Sequence, residues 1–481
     1  MGATDAREKM PGTTAERYAA AACGLLLAWW NLYHDEGFLF LGNLDAQIAS
    51  CVACYGGILV AAVTLAALRR KSPALRPIFF GLLAAQAVCG LSFYGAVAFG
   101  GDGLIVGLQV LLGTMAFAAI FLMLPQLGGC GFPCLPRLIA LALALYAVVE
   151  CAAWGAALAF PGIAVRLATH IGLWAAAALC AWTAFSRAGW QLEAAPDAPP
   201  ADARPARRRL PWQIVLSAGA YWLVFGMTHA LASGVIPVGH DKLIVCYLGS
   251  LAAAGLFFVV FGKLQPGDKI WPKMRLCIFP LAMLSFLLLA FANSGLTFVS
   301  IGFAQCAMDT YLAFYGLAIF VIARKMHGSV LQTAAVGALI ATPFVIAGVI
   351  AGDSLKVLAE LTPQLYNGLS VLAFLLLVAG TFWVGDDRQA SLAWGLEKKL
   401  SPKRFEDSAI AERCAKAAAR FGLTKREAEI LVLLAHGQNA PAIAESEVIS
   451  VNTVRTHIAR IHRKMGVSNQ RELDRRLAEE Q

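Results

Sequence analysis

Residues 450–467 read "SVNTVRTHIARIHRKMGV", a basic stretch near the end of a 481-residue chain that is 59% hydrophobic. Its apolar positions Val454, Ile458, Ile461 and Met465 follow one another at intervals of four, three and four residues. This spacing places them on one face of an α-helix. Polar and basic residues occupy the other faces. The stretch therefore predicts a water-exposed amphipathic helix at the end of a chain that is otherwise mostly apolar.

The bulk composition indicates a membrane protein with many spans. Charged residues make up only 14% of the chain, and the mean hydropathy is +0.66. Such values are typical of polytopic membrane proteins. The first apolar run is followed at once by others and has no small-residue cleavage site, so we interpret it as a span and not as a signal peptide.

A spanning helix needs about 20 mostly apolar residues, and the sequence contains twelve such runs in two sets of six. The first set is followed by "EAAPDAPPADARPARRRLP", which is rich in Pro, Ala and charge and is typical of a flexible loop. The predicted spans are 18–41, 46–68, 77–99, 104–125, 137–160 and 166–186 in the first set, and 213–236, 243–262, 276–293, 296–323, 329–351 and 367–385 in the second.

These runs predict a domain organisation in which membrane spans precede one soluble domain. We expect a cytoplasmic tail (1–17), a membrane domain (18–386), a linker (387–421) and a soluble helical domain (422–481). Within the membrane domain we expect halves at 18–186 and 213–386, joined by a central cytoplasmic loop at 187–212.

Basic residues in the loops predict the orientation. With the N-terminus in the cytoplasm, nineteen Lys and Arg residues fall in inside loops, against only Arg166, Lys242 and Lys356 outside. Inside loops of membrane proteins carry this excess of Lys and Arg. An even number of spans then places the C-terminus in the cytoplasm too, where DNA is. The sequence therefore predicts a multi-pass protein of the cytoplasmic membrane with both termini inside.

The segment from Leu423 onward has the signals of a small helical bundle. Thr424 followed three residues later by Glu427 is a capping box that starts a helix. The helix over 451–465 presents Arg455, small residues and further basic residues on the side opposite its apolar face. Arg makes bidentate hydrogen bonds to guanine, and small side chains let a helix approach base edges in the major groove. This side is suited to contact DNA.

The same segment resembles the helix-turn-helix of LuxR-type transcription regulators. Residues 423–473 read "LTKREAEILVLLAHGQNAPAIAESEVISVNTVRTHIARIHRKMGVSNQREL", and they follow the family pattern L-T-x-R-E, then Gly, I-A, I-S, T-V-K/R-x-H and K-[LM]-G-V. The resemblance implies a four-helix domain that binds double-stranded DNA as a homodimer. It implies DNA contacts by Asn452, Thr453, Arg455, Thr456, Ala459, Arg460, Arg463 and Lys464. The other interpretation is a basic amphipathic helix that lies on anionic lipid.

The twelve predicted spans, in a 6+6 arrangement, resemble the major facilitator superfamily, whose folds place a cavity between the two halves. Glu150 and Asp309 stand inside predicted spans at roughly 18–21 Å depth, where a carboxyl group marks a site by default. We expect a small-molecule ligand there, with cavity residues Glu150, Asp309, Gln305, Trp30, Asn31, Tyr221 and His229. These carboxyl groups are otherwise explained by hydrogen bonds that fix helix packing.

The sequence contains no catalytic constellation and no phosphate-binding glycine loop, so we expect no enzyme activity and no cofactor. Cys51 and Cys54 form a lone CxxC pair inside a span, and we expect no metal. The predicted fold class is all-α, a polytopic membrane helix bundle with a C-terminal four-helix domain. The predicted function is a membrane-bound one-component transcription regulator that senses a small molecule. A facilitator-type transporter with a regulatory DNA-binding tail, and a plain membrane anchor for a repressor, are the alternatives.

Overall fold

The computed structural model is built almost entirely of helices, and 93% of the residues that it describes are helical. The predicted all-α fold class is confirmed. The structure describes residues 13–41, 43–67, 75–128, 134–188, 219–228, 230, 240–264, 270–289, 294–325, 329–361, 368, 371–372, 375, 413–435, 439–447 and 451–478. The chain divides into two compact units, Met1–Glu397 and Lys398–Gln481.

The first unit begins with six long helices that correspond to the six predicted spans of the first half. Their residues are mainly Ala, Leu, Val and Phe, which suit helices that are surrounded by lipid or by other apolar helices. A short 3₁₀ turn, Leu124–Leu127, follows the fourth helix. The helices are α1 (Thr14–Phe40), α2 (Leu44–Ala67), α3 (Leu75–Phe99), α4 (Asp102–Met123), α5 (Leu135–Ala159) and α6 (Ile163–Ala188).

The second half of the first unit continues with α7 (His240–Phe261), α8 (Ile270–Leu289), α9 (Ser294–Lys325) and α10 (Val330–Leu361). Residues 219–228 are also helical and lie within the predicted span 213–236. Most of the predicted span 367–385 lies outside the described residues.

Among the described residues, eight helices are long and apolar enough to cross a membrane. They are α2 to α7, α9 and α10. Helix α1 is not among them because it carries polar and charged residues in its second half. Most of α1 is buried inside the unit, which gives those polar residues protein surroundings in place of lipid.

Glycine allows very close helix contacts at equivalent places in the two halves. A Cβ atom added at Gly24 in α1 would lie 2.4 Å from the carbonyl oxygen of Ala142 in α5. A Cβ atom added at Gly348 in α10 would lie 2.0 Å from the carbonyl oxygen of Leu223, in the helix over 219–228. Small residues permit such contacts between membrane helices. If the predicted spans are numbered along the chain, α1 and α5 are spans one and five, and the helix over 219–228 and α10 are spans seven and eleven. The same pair of spans is thus in close contact in each half, as expected of two repeats of six spans.

The second unit has its own hydrophobic core, and the structure describes four helices in it after residue 424. Helix α11 (Lys425–Ala435) precedes α12 (Ala440–Glu447), α13 (Val451–Met465) and α14 (Gln470–Ala478). Helical residues 413–420 also belong to this unit, because Cys414 and Ala417 are buried in its core. The remaining buried core residues are Ile430, Leu431, Leu434, Ile443, Ala444, Val454, Ile461, Met465, Leu473 and Leu477.

Candidate DNA-binding and ligand-binding sites

Helix α13 has one buried face and one exposed face. Val454, Ile461 and Met465 are buried against α11 and α12, as their spacing predicts, and Ile458 is half-buried. The residues predicted to contact DNA are all exposed, which leaves this side of the helix open to a major groove. They are Asn452, Thr453, Arg455, Thr456, Ala459, Arg460, Arg463 and Lys464.

Thr456 and Lys464, which are among these exposed residues, are also engaged within the domain. The hydroxyl of Thr456 donates to the carbonyl oxygen of Asn452 at 2.9 Å. The ammonium group of Lys464 donates to Glu427 Oε2 at 2.7 Å and to the carbonyl oxygen of Gly422 at 3.0 Å. Lys464 therefore ties the end of α13 to the start of α11, and a phosphate contact by the same group remains a prediction.

Glu427 is the centre of this connection. Its carboxylate accepts the backbone N–H of Thr424 at 2.8 Å, and its own N–H donates to the Thr424 hydroxyl at 3.3 Å. The predicted capping box is thus present. The hydrogen bond from Lys464, with the backbone hydrogen bond from Thr424, lowers the pKa of Glu427 from 4.5 to about 2. Glu427 is therefore ionised at neutral pH and holds α11 and α13 together.

A related cap begins α14, in which Glu472 accepts from Ser468, the residue before the N-cap Asn469. The backbone N–H of Ser468 donates to Glu472 Oε2 at 2.8 Å, and the N–H of Glu472 donates to Asn469 Oδ1 at 2.9 Å. These hydrogen bonds lower the pKa of Glu472. Helices α11 and α14 therefore both begin at a cap that includes a glutamate side chain.

In the membrane unit, the structure brings two of the predicted ligand residues together. Asn31 in α1 donates to Glu150 Oε1 in α5 at 2.6 Å, and Glu150 is fully buried. The other oxygen of this carboxyl group, Oε2, has no hydrogen-bond partner among the described residues. Glu150 is close enough to Asp309 in α9 for the two carboxyl groups to interact electrostatically.

The other predicted ligand residues have varied surroundings. Gln305 donates to Asp309 Oδ2 at 3.1 Å within α9. Trp30 is buried and its indole N–H donates to Cys54 Sγ at 3.0 Å. Tyr221 stacks on Tyr311 with ring centroids 3.9 Å apart, and this contact involves neither Glu150 nor Asp309. His229 lies outside the described residues.

The structure adds Asp35, which lies in the predicted span 18–41 but was not one of the predicted ligand residues. Asp35 Oδ2 accepts from Asn31 at 3.3 Å and from the Tyr247 hydroxyl of α7 at 2.9 Å. Asp35 Oδ1 lies 3.4 Å from His34 Nδ1. A chain of hydrogen bonds thus runs from Glu150 through Asn31 and Asp35 to Tyr247, and it links the first half of the unit to the second.

A second polar cluster lies beside the first and involves α1, α3 and α6. The Tyr94 hydroxyl donates a short hydrogen bond to Glu36 and lies 2.9 Å from His170 Nδ1. Arg166 Nη1 donates to Glu36 Oε1 at 3.3 Å. Lys242, in the first turn of α7, is also buried, with 4% of its surface exposed. Arg166 and Lys242 were expected in outside loops, and their burial has no signal in the linear sequence beyond their position at the ends of apolar runs.

The two clusters meet at a small cleft between α1, α5, α6 and α7, which we call the polar cleft. It has about 30 Å³ of free space, enough for one or two water-sized groups. Its polar lining comes from both clusters and its apolar lining from α1, α5 and α7. The lining residues are Leu32, Asp35, Glu36, Leu39, Ala153, Trp154, Ala157, Arg166, Thr169, His170, Leu243 and Tyr247.

Among the described residues there is no group of three or more His, Cys, Asp or Glu side chains that could hold a metal ion. The polar cleft itself is lined by hydrogen-bonding, charged and apolar side chains.

Comparison with known proteins identifies the C-terminal segment. Residues 422–476 match the GerE family, described as bacterial regulatory proteins of the luxR family. A probable transcriptional regulatory protein NarL of Mycobacterium tuberculosis, from strains CDC 1551 / Oshkosh and H37Rv, is 45% identical over 47 residues. That alignment covers 10% of this chain and 22% of the relative. The likeness is therefore confined to a short segment of both proteins, and the chain spans less than a quarter of the relative's length.

The membrane unit is similar in fold to solved transporter structures. Two crystal structures of a bacterial homologue of the iron transporter ferroportin, in the outward-facing state, align with TM-scores of 0.53 and 0.51. They share 15% and 11% identity, and the alignments cover 78% and 76% of this chain and 99% of theirs. At such identity the likeness concerns the fold alone. Residues 422–476 thus match the luxR family of bacterial regulatory proteins, and the same chain carries a multi-pass membrane unit that shares its fold with the two transporter structures.

Proposed function

We propose that the protein is a membrane-bound one-component transcription regulator, in which ligand binding by the membrane unit changes DNA binding by the LuxR-type domain. One observation carries this proposal. The same chain holds an exposed basic recognition helix, α13, and a membrane unit whose interior contains a hydrogen-bonded network of carboxyl groups between its two halves.

The membrane unit supplies the sensing step in this proposal. Buried ionisable groups in membrane helices are costly and mark functional sites by default. Asp35, Asn31 and Glu150 lie in the first half and Tyr247 in the second, so a ligand that contacts this network alters how the halves are held. A ligand shifts such an equilibrium only by binding one arrangement more tightly than the other.

The DNA-binding step uses α13. We propose that Asn452, Arg455, Thr456 and Ala459 meet base edges and that Thr453, Arg460, Arg463 and Lys464 meet or support contacts to phosphate. Two chains form a homodimer on the operator. Confinement to the membrane raises the effective concentration of the two domains, so weak dimer contacts suffice.

The proposal is tested by measuring operator occupancy in cells with and without an inducing compound. The inducing compound is identified by expression profiling against a compound library in strains with and without the protein. We expect occupancy of the responding promoter to change with the compound in the wild type. In the Glu150→Gln variant we expect the promoter to be occupied to the same extent with and without the compound. Unchanged occupancy and transcription in the wild type would overturn the sensing proposal.

A transporter with a regulatory tail is the second candidate, because the membrane unit has the fold of the ferroportin homologue. Uptake into vesicles distinguishes the two functions. Accumulation of the inducing compound that survives deletion of residues 400–481 supports transport, and its absence supports a sensor.

A further inference from the structure

We infer that the polar cleft binds the ammonium group of a small amine. This inference rests on the proposed function, because it takes the buried network of the membrane unit as the ligand site, and it names the chemical class of the ligand. It follows from the hydrogen-bonding groups that are left open, from the balance of charge and from the size of the space.

His170 provides the first open group. Its Nδ1 lies 2.9 Å from the carbonyl oxygen of Arg166, and a carbonyl oxygen only accepts hydrogen bonds. Nδ1 therefore carries the proton, and the neutral ring has a lone pair on Nε2. Tyr94 fits the same pattern, since its oxygen accepts from His170 while its O–H donates to Glu36. His170 lines the polar cleft, and its buried Nε2 has no hydrogen-bond partner among the described residues.

Glu150 provides the second open group. Asn31 occupies Oε1, and Oε2 has no hydrogen-bond partner in the described part of the chain. Glu150 lies one helical turn before Ala153 and Trp154, both of which line the polar cleft. Residues three and four apart share a helix face. Glu150 therefore stands on the face of α5 that borders the cleft, although it does not itself line it. Within the cleft, the open His170 nitrogen and the carboxyl groups of Asp35 and Glu36 are hydrogen-bond acceptors.

The cleft is lined by more carboxyl groups than cationic side chains. Asp35 and Glu36 both line it, and Arg166, which is paired with Glu36, also lines it. A charged group in a low-dielectric interior is favoured where an opposite charge lies beside it, so the Asp35 carboxyl group suits a positively charged ligand.

An ammonium group satisfies these requirements together. It carries three donors and no acceptor, whereas an anion or a carbonyl compound brings acceptors to groups that are themselves acceptors. Its head is about the size of a water molecule, which fits the 30 Å³ of free space. Trp154 and Tyr247 also line the cleft, and aromatic rings attract cations.

The test measures binding to the purified full-length protein in lipid nanodiscs. The probes are benzylammonium, its neutral counterpart benzyl alcohol, and inorganic ammonium. The readouts are the shift in thermal unfolding temperature and the apparent dissociation constant from titration calorimetry. The variants are Glu150→Gln and His170→Leu. The matched control is Asp102→Asn, which removes an exposed carboxyl group at the start of α4.

We expect benzylammonium to raise the unfolding temperature and benzyl alcohol to have no effect. We expect Glu150→Gln and His170→Leu each to weaken benzylammonium binding about tenfold and Asp102→Asn to leave it unchanged. Equal binding of the amine and the alcohol, or no binding of either ammonium probe to the wild type, overturns the inference. Stabilisation by inorganic ammonium as strong as by benzylammonium assigns the site to the ion itself.

These results are independent of DNA, so they separate the inference from the proposed function. Amine binding without a change in operator occupancy supports the ligand class and contradicts regulation. A change in operator occupancy that is caused only by uncharged or anionic compounds supports regulation and contradicts the ligand class.

Discussion

Arg455 lies exposed on α13, one residue beyond the buried Val454, and we propose that it contacts a base edge. We predict that Arg455→Ala weakens binding to the operator by about 1–3 kcal/mol and relaxes sequence preference at one base pair. Competition binding with operator variants and with random DNA measures both effects. Equal losses on operator and random DNA would show that Arg455 contacts only phosphate.

Glu427 and Glu429 offer a matched comparison two residues apart. Glu427 is buried and receives hydrogen bonds from Lys464 and Thr424, whereas Glu429 forms an exposed ion pair with Arg426. We predict that Glu427→Gln lowers the free energy of unfolding of the C-terminal unit by about 1–3 kcal/mol. Glu429→Gln should change it by less than about 1 kcal/mol, because exposed ion pairs contribute little. Denaturant unfolding of residues 398–481 measures both.

The same carboxyl group predicts a pH dependence. The pKa of Glu427 is lowered from 4.5 to about 2 in the folded domain. Its ionised form is therefore favoured by folding, so the stabilisation is complete above pH 4.5 and is lost as the pH falls toward 2. We expect the wild type and Glu427→Gln to converge in unfolding free energy across this interval. A difference that stays constant down to the lower limit would contradict this assignment.

At the residue scale, the sequence predicted those features that depend on local spacing. The capping box of Thr424 and Glu427 and the exposed side of α13 follow from helical periodicity alone. The bond from Lys464 to Glu427 joins residues 37 positions apart, which no local pattern reveals. The position in the apolar run explains why Glu150 was predicted as a ligand residue and why Asp35 and His170 were not. Glu150 lies deep in an apolar run, whereas the other two lie nearer the ends of theirs.

The helix over 413–420 is an element whose role depends on one buried face. Ala417 is fully buried in the core of the C-terminal unit, and Ala419, two residues later, is exposed. We predict that Ala417→Glu disrupts the unit and abolishes operator binding, because it places a charge in an apolar core. Ala419→Glu should leave folding and binding intact. Circular dichroism and operator binding of both variants test the difference, and equal behaviour would contradict the packing of this helix.

Helices as elements were largely predictable, because long apolar runs leave the backbone no other way to satisfy its hydrogen bonds in lipid. The ten long helices that the structure describes in the membrane unit overlap predicted spans. The linker from 387 was expected to be partly helical, but the sequence did not indicate that Cys414 and Ala417 pack into the C-terminal core. Such packing depends on core residues far along the chain, such as Ile461 and Leu473, which only the fold brings together with this helix.

For the whole molecule, orientation determines whether the DNA-binding domain can reach DNA. The excess of basic residues in alternate loops predicts that both termini are cytoplasmic. We predict that a reporter active only in the cytoplasm is active when fused after Gln481 and inactive when inserted after Pro161, between α5 and α6. The reverse pattern would exclude gene regulation by this chain. Expression of both fusions at similar levels is the control.

The burial of Cys414 and Ala417 has a mechanical consequence. The helix over 413–420 is fixed in the hydrophobic core of the second unit and does not lie loosely on its surface. A force applied to the chain before residue 413 is therefore expected to act on that core. It would reach α13 through Val454, Ile461 and Met465, which share the same core.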